Sequence, residues 1–80
     1  MDIKETFICV NTFTSKKNGK EYFKLYTFDE DQGVVNDNFI DKSMYEKLID
    51  SDLCFGDLFI VVYKPNNYMK LEPKDFKLLD

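Results

Sequence analysis

Histidine and arginine are absent from the chain, and cysteine, glycine and proline are scarce: two, three and two residues in eighty. Without histidine, and with Cys9 and Cys54 standing 45 positions apart, the ligand sets that hold zinc are missing. The two thiols are expected to be free and buried, as suits a reducing compartment. With no arginine, any phosphate contact must come from lysine, as a point charge rather than a bidentate fork. So little glycine and proline beside 44% hydrophobic and 16% aromatic residues excludes the disordered and fibrous classes. The opening "MDIKETFICV" carries acids and no long apolar run. Neither a signal peptide nor a membrane span is therefore expected, and the expected location is the cytoplasm.

Catalytic signatures are also missing. The chain has no glycine-rich phosphate loop, no GxSxG elbow and no cysteine paired with a base, so the usual nucleophile and base arrangements cannot be assembled and an enzyme is not expected. "DEDQG", Asp29 to Gly33, starts like a calcium loop but lacks the glutamate at position twelve and the flanking helices that such a loop needs. No metal and no cofactor are expected.

What is present is a chain of single-domain length, residues 1–80, near the lower limit for one unstapled hydrophobic core. Eight Phe and five Tyr must supply most of that core. Thr6 to Thr14, "TFICVNTFT", is rich in the β-branched and aromatic residues that suit a pleated surface and predicts the first strand. Asn18-Gly19 within "SKKNGK" signals a hairpin, since both residues tolerate positive φ. A second strand follows from Glu21 to Phe28. Its alternation puts Phe23 and Leu25 on the core side and Tyr22, Lys24 and Tyr26 on the other, with Phe28 open to being turned inward by a bulge.

After the turn at Asp29 to Gly33, a third strand is predicted over Val34 to Ile40. "DKSMYEKLIDSDL" then predicts a helix of about three turns, with Asp41 as N-cap and Tyr45, Leu48, Ile49 and Leu53 on its buried face. Leu58 to Lys64 reads as a fourth strand covered on both faces. "PNN" makes a turn, and Tyr68 to Leu71 begins a fifth strand that Pro73 confines to an edge or a bend, with Phe76, Leu78 or Leu79 docking at the end. Three strands, a helix and two strands form the element order of the OB-fold, a mainly β, five-stranded, partly open Greek-key barrel with one helix between strands 3 and 4. An SH3-like barrel is the rival, without an ordinary place for a helix of this length.

Charge is unevenly placed. Asp29 to Asp57 holds nine acids and two lysines, a net of -7, while the remainder carries +3, within an overall -4. OB-folds bind oligonucleotides or oligosaccharides on the face around strands 2 and 3, framed by the loops between strands 1 and 2 and between strands 4 and 5. The first of those loops holds Lys16, Lys17 and Lys20; the second is flanked by Tyr63, Lys64, Tyr68 and Lys70. Single-stranded nucleic acid asks for cations along its phosphates and flat rings under its bases. Lys16, Lys17, Lys20, Lys24, Lys64 and Lys70 with Tyr22, Tyr26 and Tyr68 offer both.

Each of these residues has a plainer role open to it. The lysines can solvate a hairpin tip, Tyr22 and Tyr26 can form cross-strand packing pairs, Tyr63 suits an apolar core, and Phe13 fits either a lid on the core or a stacking ring.

"NGKEYFKLYTFDED" (Asn18 to Asp31), "DKSMYEKL" (Asp41 to Leu48) and "FGDLFIVVYKPNNYMKLE" (Phe55 to Glu72) give the chain its resemblance to the small OB-fold single-stranded DNA-binding proteins of phages and mobile elements in Gram-positive bacteria. The likeness is one of pattern and spans roughly Thr6 to Leu71. It implies non-sequence-specific coating of single strands in replication or recombination, beside the proteins of those processes, often as a homodimer or higher assembly. It places Lys16, Lys17 and Lys20 at the backbone and Tyr22, Lys24 and Tyr26 on the binding face. The alternative is a small acidic protein-interaction barrel, a phage-borne inhibitor or assembly factor, whose working surface is the acidic segment. RNA or oligosaccharide on the same face is a third reading.

Overall fold

Period-two alternation and local turn chemistry place most of the elements. The computed structural model describes residues 1–79. It contains β1 (Asp2–Thr14), β2 (Glu21–Asp29), β3 (Val34–Ile40), α1 (Lys42–Asp50), β4 (Leu58–Pro65) and β5 (Leu71–Leu78). The strands form one antiparallel sheet in the order β3-β2-β1-β4-β5. Among the described residues β3 bonds only β2 and β5 bonds only β4, so no ladder there closes the sheet into a barrel, although the two edge strands pack against each other. Among the described residues no helix is long and apolar enough to cross a membrane.

The β1–β2 hairpin is wider than a two-residue turn. Gly19, at φ 68°, donates to the Ser15 carbonyl at 2.9 Å, and Ser15 donates to the Lys20 carbonyl at 2.8 Å. Asn18 keeps a negative φ and contributes through its side chain instead, its Oδ1 accepting from the Lys20 amide at 2.9 Å. At the β2–β3 turn, Asp29 Oδ1 accepts from the amides of Asp31 (3.0 Å) and Gln32 (3.2 Å), and Gly33 supplies the left-handed residue.

β1 starts at Asp2, four residues before the expected Thr6, because its first half has β4 to pair with: Ile3 opposes Val61 and Glu5 opposes Phe59. Its second half pairs β2, and the register slips between Phe7 and Cys9. Ile8 is the extra residue of that bulge. Before it, odd positions such as Phe7 face the core; after it, even positions such as Val10 do, and Phe13 is turned outward. On β2 the alternation holds without interruption, with Phe23, Leu25, Thr27 and Asp29 all buried, so Phe28 stays on the outer side.

Asp41 caps α1 as expected, its Oδ1 accepting from the Met44 amide at 2.8 Å. The helix ends after Asp50, where the Leu48 carbonyl accepts from both the Ser51 amide at 3.2 Å and Ser51 Oγ at 2.6 Å. Met44 and Leu48, four apart, are its buried pair, whereas Ile49 is 55% exposed. The expected face is thus rotated by about one position. Tyr45 and Leu53 pack against the core from its margin, Tyr45 with its ring 4.7 Å from that of Phe23.

β4 is buried on one side by Phe59, Val61 and Tyr63 and only partly covered on the other. The fifth strand lies later than expected: Tyr68 and Met69 belong to the turn, where Met69 takes φ 62° and Asn66 Oδ1 accepts from the amides of Tyr68 and Lys70. Pro73 sits inside β5, which is an edge strand, one of the two placements expected for it. Opposite Tyr63, at a register shift on an edge strand, its missing N–H costs no ladder bond. Phe76 packs on the core, while Leu78 and Leu79 remain exposed. The cysteines are free, but Cys54 is exposed rather than buried, because it lies in the loop after α1; Cys9 is half-buried.

The core unites Phe7, Phe23, Leu25, Ile40, Met44, Leu48, Phe59, Val61 and Tyr63. Each such side chain contributes about 1.5–3 kcal/mol by leaving water. Two carboxylates, Glu5 and Asp29, are buried beside them. Glu5 accepts from Thr27 Oγ1 (2.5 Å), Asn36 Nδ2 (3.1 Å) and Tyr63 OH (2.5 Å), which satisfies a group that would otherwise be costly to bury. Asn36 and Asn38 line a polar notch of about 230 Å³ with Asp29, Tyr63 and Leu71. Apolar packing at this point gives way to amides, beside the gap where β3 and β5 do not pair.

Candidate nucleic-acid interface

The outer side of the β1–β2–β3 sheet brings aromatic rings and lysines together. Register places Phe13 opposite Tyr22, Lys24 opposite Phe39, and Tyr26 opposite Asp37. Three rings form a mutual cluster. Phe13 and Tyr22 stack at 5.8 Å between centroids with planes 28° apart, and Phe39 lies 6.0 Å from Phe13 and 6.1 Å from Tyr22, tilted to both. Phe13 and Phe39 remain 42% and 51% exposed, enough to leave ring surface open to a flat ligand.

The lysine hairpin adjoins this cluster. Asn18 Nδ2 donates to Tyr22 OH at 3.3 Å and ties the turn to the rings. Lys16, Lys17 and Lys20 are exposed, and among the described residues they form no ion pair. Their charge is free to meet an anion. Lys24 is different: its Nζ lies 3.3 Å from Asp37 Oδ2 and 4.9 Å from the centroid of the Phe39 ring. Its charge is therefore shared between a carboxylate and a ring.

Tyr22, Lys24 and Tyr26 all take the outward side that alternation assigns them, each half-buried by its neighbours. The acids of the β2–β3 turn lie at the other end of β2, about 25–30 Å from the lysine hairpin at a strand rise of about 3.3 Å per residue. One carboxylate, Asp37, does share the ring-bearing face.

Lys64, Tyr68 and Lys70 gather at the β4–β5 turn. That turn follows Tyr63, whose amide bonds Met1, at the opposite end of β1 from the lysine hairpin. Tyr68 is 82% exposed. Glu72 stands across from Lys64, and Lys74 Nζ at 2.6 Å holds its carboxyl below the usual range, against slight desolvation and with help from Asn66. Negative charge is therefore retained beside this second group of lysines. Tyr63 belongs to the core, not to either group.

Sequence reasoning left Phe13 undecided and passed over Phe39 and Asp37. The alternation of β3 carried the signal for the last two: Val35, Asp37 and Phe39 share one parity and Asn36 and Asn38 the other. No family model, curated protein or solved structure matches the chain.

Proposed function

We propose that this chain binds single-stranded DNA largely without regard to sequence, as an OB-type module whose open sheet presents the β1–β2–β3 outer face to the strand. The reading is carried by one observation: three clustered, part-exposed rings adjoin a hairpin with three exposed lysines that form no ion pair among the described residues. Bases stack on Phe13, Phe39 and Tyr22, phosphates run along Lys16, Lys17 and Lys20, and Tyr26 and Lys24 extend the platform across β2. Stacking contributes about 1–3 kcal/mol per base. Two bases together with phosphate contacts from the hairpin give affinity of about micromolar order. Lys64, Tyr68 and Lys70 serve as a second contact region for longer strands. The absence of arginine suits this task, since coating needs charge along a backbone more than planar recognition.

Fluorescence anisotropy with a labelled oligothymidine of about 12 nucleotides tests the reading. Three released counterions correspond to a slope of about -2 in log K against log salt, or about a twentyfold loss of affinity between 50 and 200 mM. A duplex of equal length should bind more weakly, because its bases are not free to stack on the rings. No binding to the single strand at low salt would end the proposal.

A further inference from the structure

A carboxylate stands within the ring-bearing face, where a surface built only for phosphates has no use for one. Asp37 lies between Val35 and Phe39 on β3, and all three side chains are exposed. Lys24 Nζ donates to Asp37 Oδ2 at 3.3 Å, and among the described residues Asp37 Oδ1 accepts no hydrogen bond. Paired with Asp37, Lys24 offers a backbone phosphate no net positive charge, so base edges are what gain by approaching this point. A carboxylate offers acceptors only, and an ammonium offers donors only. Side by side they present two acceptors and then a donor.

Guanine is complementary to that order, with N2–H, N1–H and O6 along its Watson–Crick edge. Thymine sets carbonyl oxygens on both sides of a single N3–H, and adenine and cytosine each put one amino donor next to an acceptor nitrogen. We infer that Asp37 and Lys24 read the Watson–Crick edge of one guanine in the bound strand. Asp37 accepts from N1–H and N2–H, and Lys24 donates to O6. The inference rests on the single-strand reading and deepens it, adding a preference at one position to binding that elsewhere tolerates any base. A duplex hides the edge concerned, so the preference belongs to unpaired strands alone.

Three oligomers of about 12 nucleotides separate the two ideas by anisotropy: all thymine, thymine with one central guanine, and the same with inosine, which lacks only the N2 amino group. The wild-type chain is expected to bind the guanine oligomer about tenfold more tightly than either of the others. Asp37→Asn, which replaces one acceptor oxygen by a donor, should level the three. Wild-type protein that binds oligothymidine but takes guanine no more tightly than inosine overturns this inference and leaves the single-strand reading standing. Absence of binding to all three oligomers at low salt overturns both.

Discussion

The phenol of Tyr63 donates to the buried carboxylate of Glu5 at 2.5 Å, joining β4 to β1 across 58 positions of sequence. Tyr63→Phe removes one of the three donors that hold Glu5. The expected loss is about 1–3 kcal/mol, the range for a hydrogen bond to a charged or buried partner. Urea unfolding of the two proteins measures it, and a midpoint unchanged by the substitution would show that the bond contributes nothing.

The same tyrosine sets a pH dependence. Burial first, then the bond to Glu5 and the nearby charges of Glu5 and Asp29, push the Tyr63 phenol far above its ordinary value of 10.0. An unfolded tyrosine ionises near that ordinary value while the folded one keeps its proton. The stabilisation is therefore complete below about pH 10 and declines as pH rises further. Unfolding midpoints recorded from pH 8 to 11 should fall more steeply for wild type than for Tyr63→Phe.

Met44 and Ile49 distinguish the face of α1 that the fold uses. Met44→Ala empties a site that is 1% exposed and should cost about 2–5 kcal/mol. Ile49→Ala, on an exposed side chain, should stay within about 0.5 kcal/mol. Thermal or urea unfolding of both variants decides the matter, and equal losses would contradict the helix orientation.

Phe13→Ala and Phe39→Ala should each weaken oligothymidine binding by about 5- to 150-fold, the equivalent of about 1–3 kcal/mol per stacked base. The loss in fold stability should be smaller, about 0.5–1.5 kcal/mol from the broken ring pairs. Titration and unfolding on the same samples separate the two effects. Loss of stability without loss of affinity would make the cluster a packing feature only.

Lys16→Gln, Lys17→Gln and Lys20→Gln should each reduce the salt slope by about 0.7 while leaving stability within about 0.5 kcal/mol. Lys64→Gln with Lys70→Gln should matter for long strands and leave binding of a strand of about 8 nucleotides unaltered. An equal effect on short and long strands would show that the two loops contact DNA together.

Much of this arrangement could be read from short-range patterns. The bounds of β3, the Asp41 cap and the core side of β2 all follow from rules that act within a few residues: period-two alternation, a side-chain oxygen meeting a free amide, and glycine at positive φ. The lysine hairpin is legible for the same reason. Pro73 restricts β5 to an edge or a bend, and β5 is an edge strand. The proline is tolerated there, opposite a register shift.

The sequence by itself determined the element order, the residues that line the inner side of β2, and the clustering of lysines in one turn, because each depends on neighbours along the chain. The tertiary structure alone decided that Phe13 faces outward and that Glu5 lies in the core. A single extra residue, Ile8, reverses the parity of everything that follows it on β1. The partners that satisfy Glu5 come from β2, β3 and β4, at distances along the chain over which no local pattern carries information. The ring cluster has the same origin. Phe13, Tyr22 and Phe39 meet only after two strand registers have been set, and register is a property of paired strands rather than of any one of them.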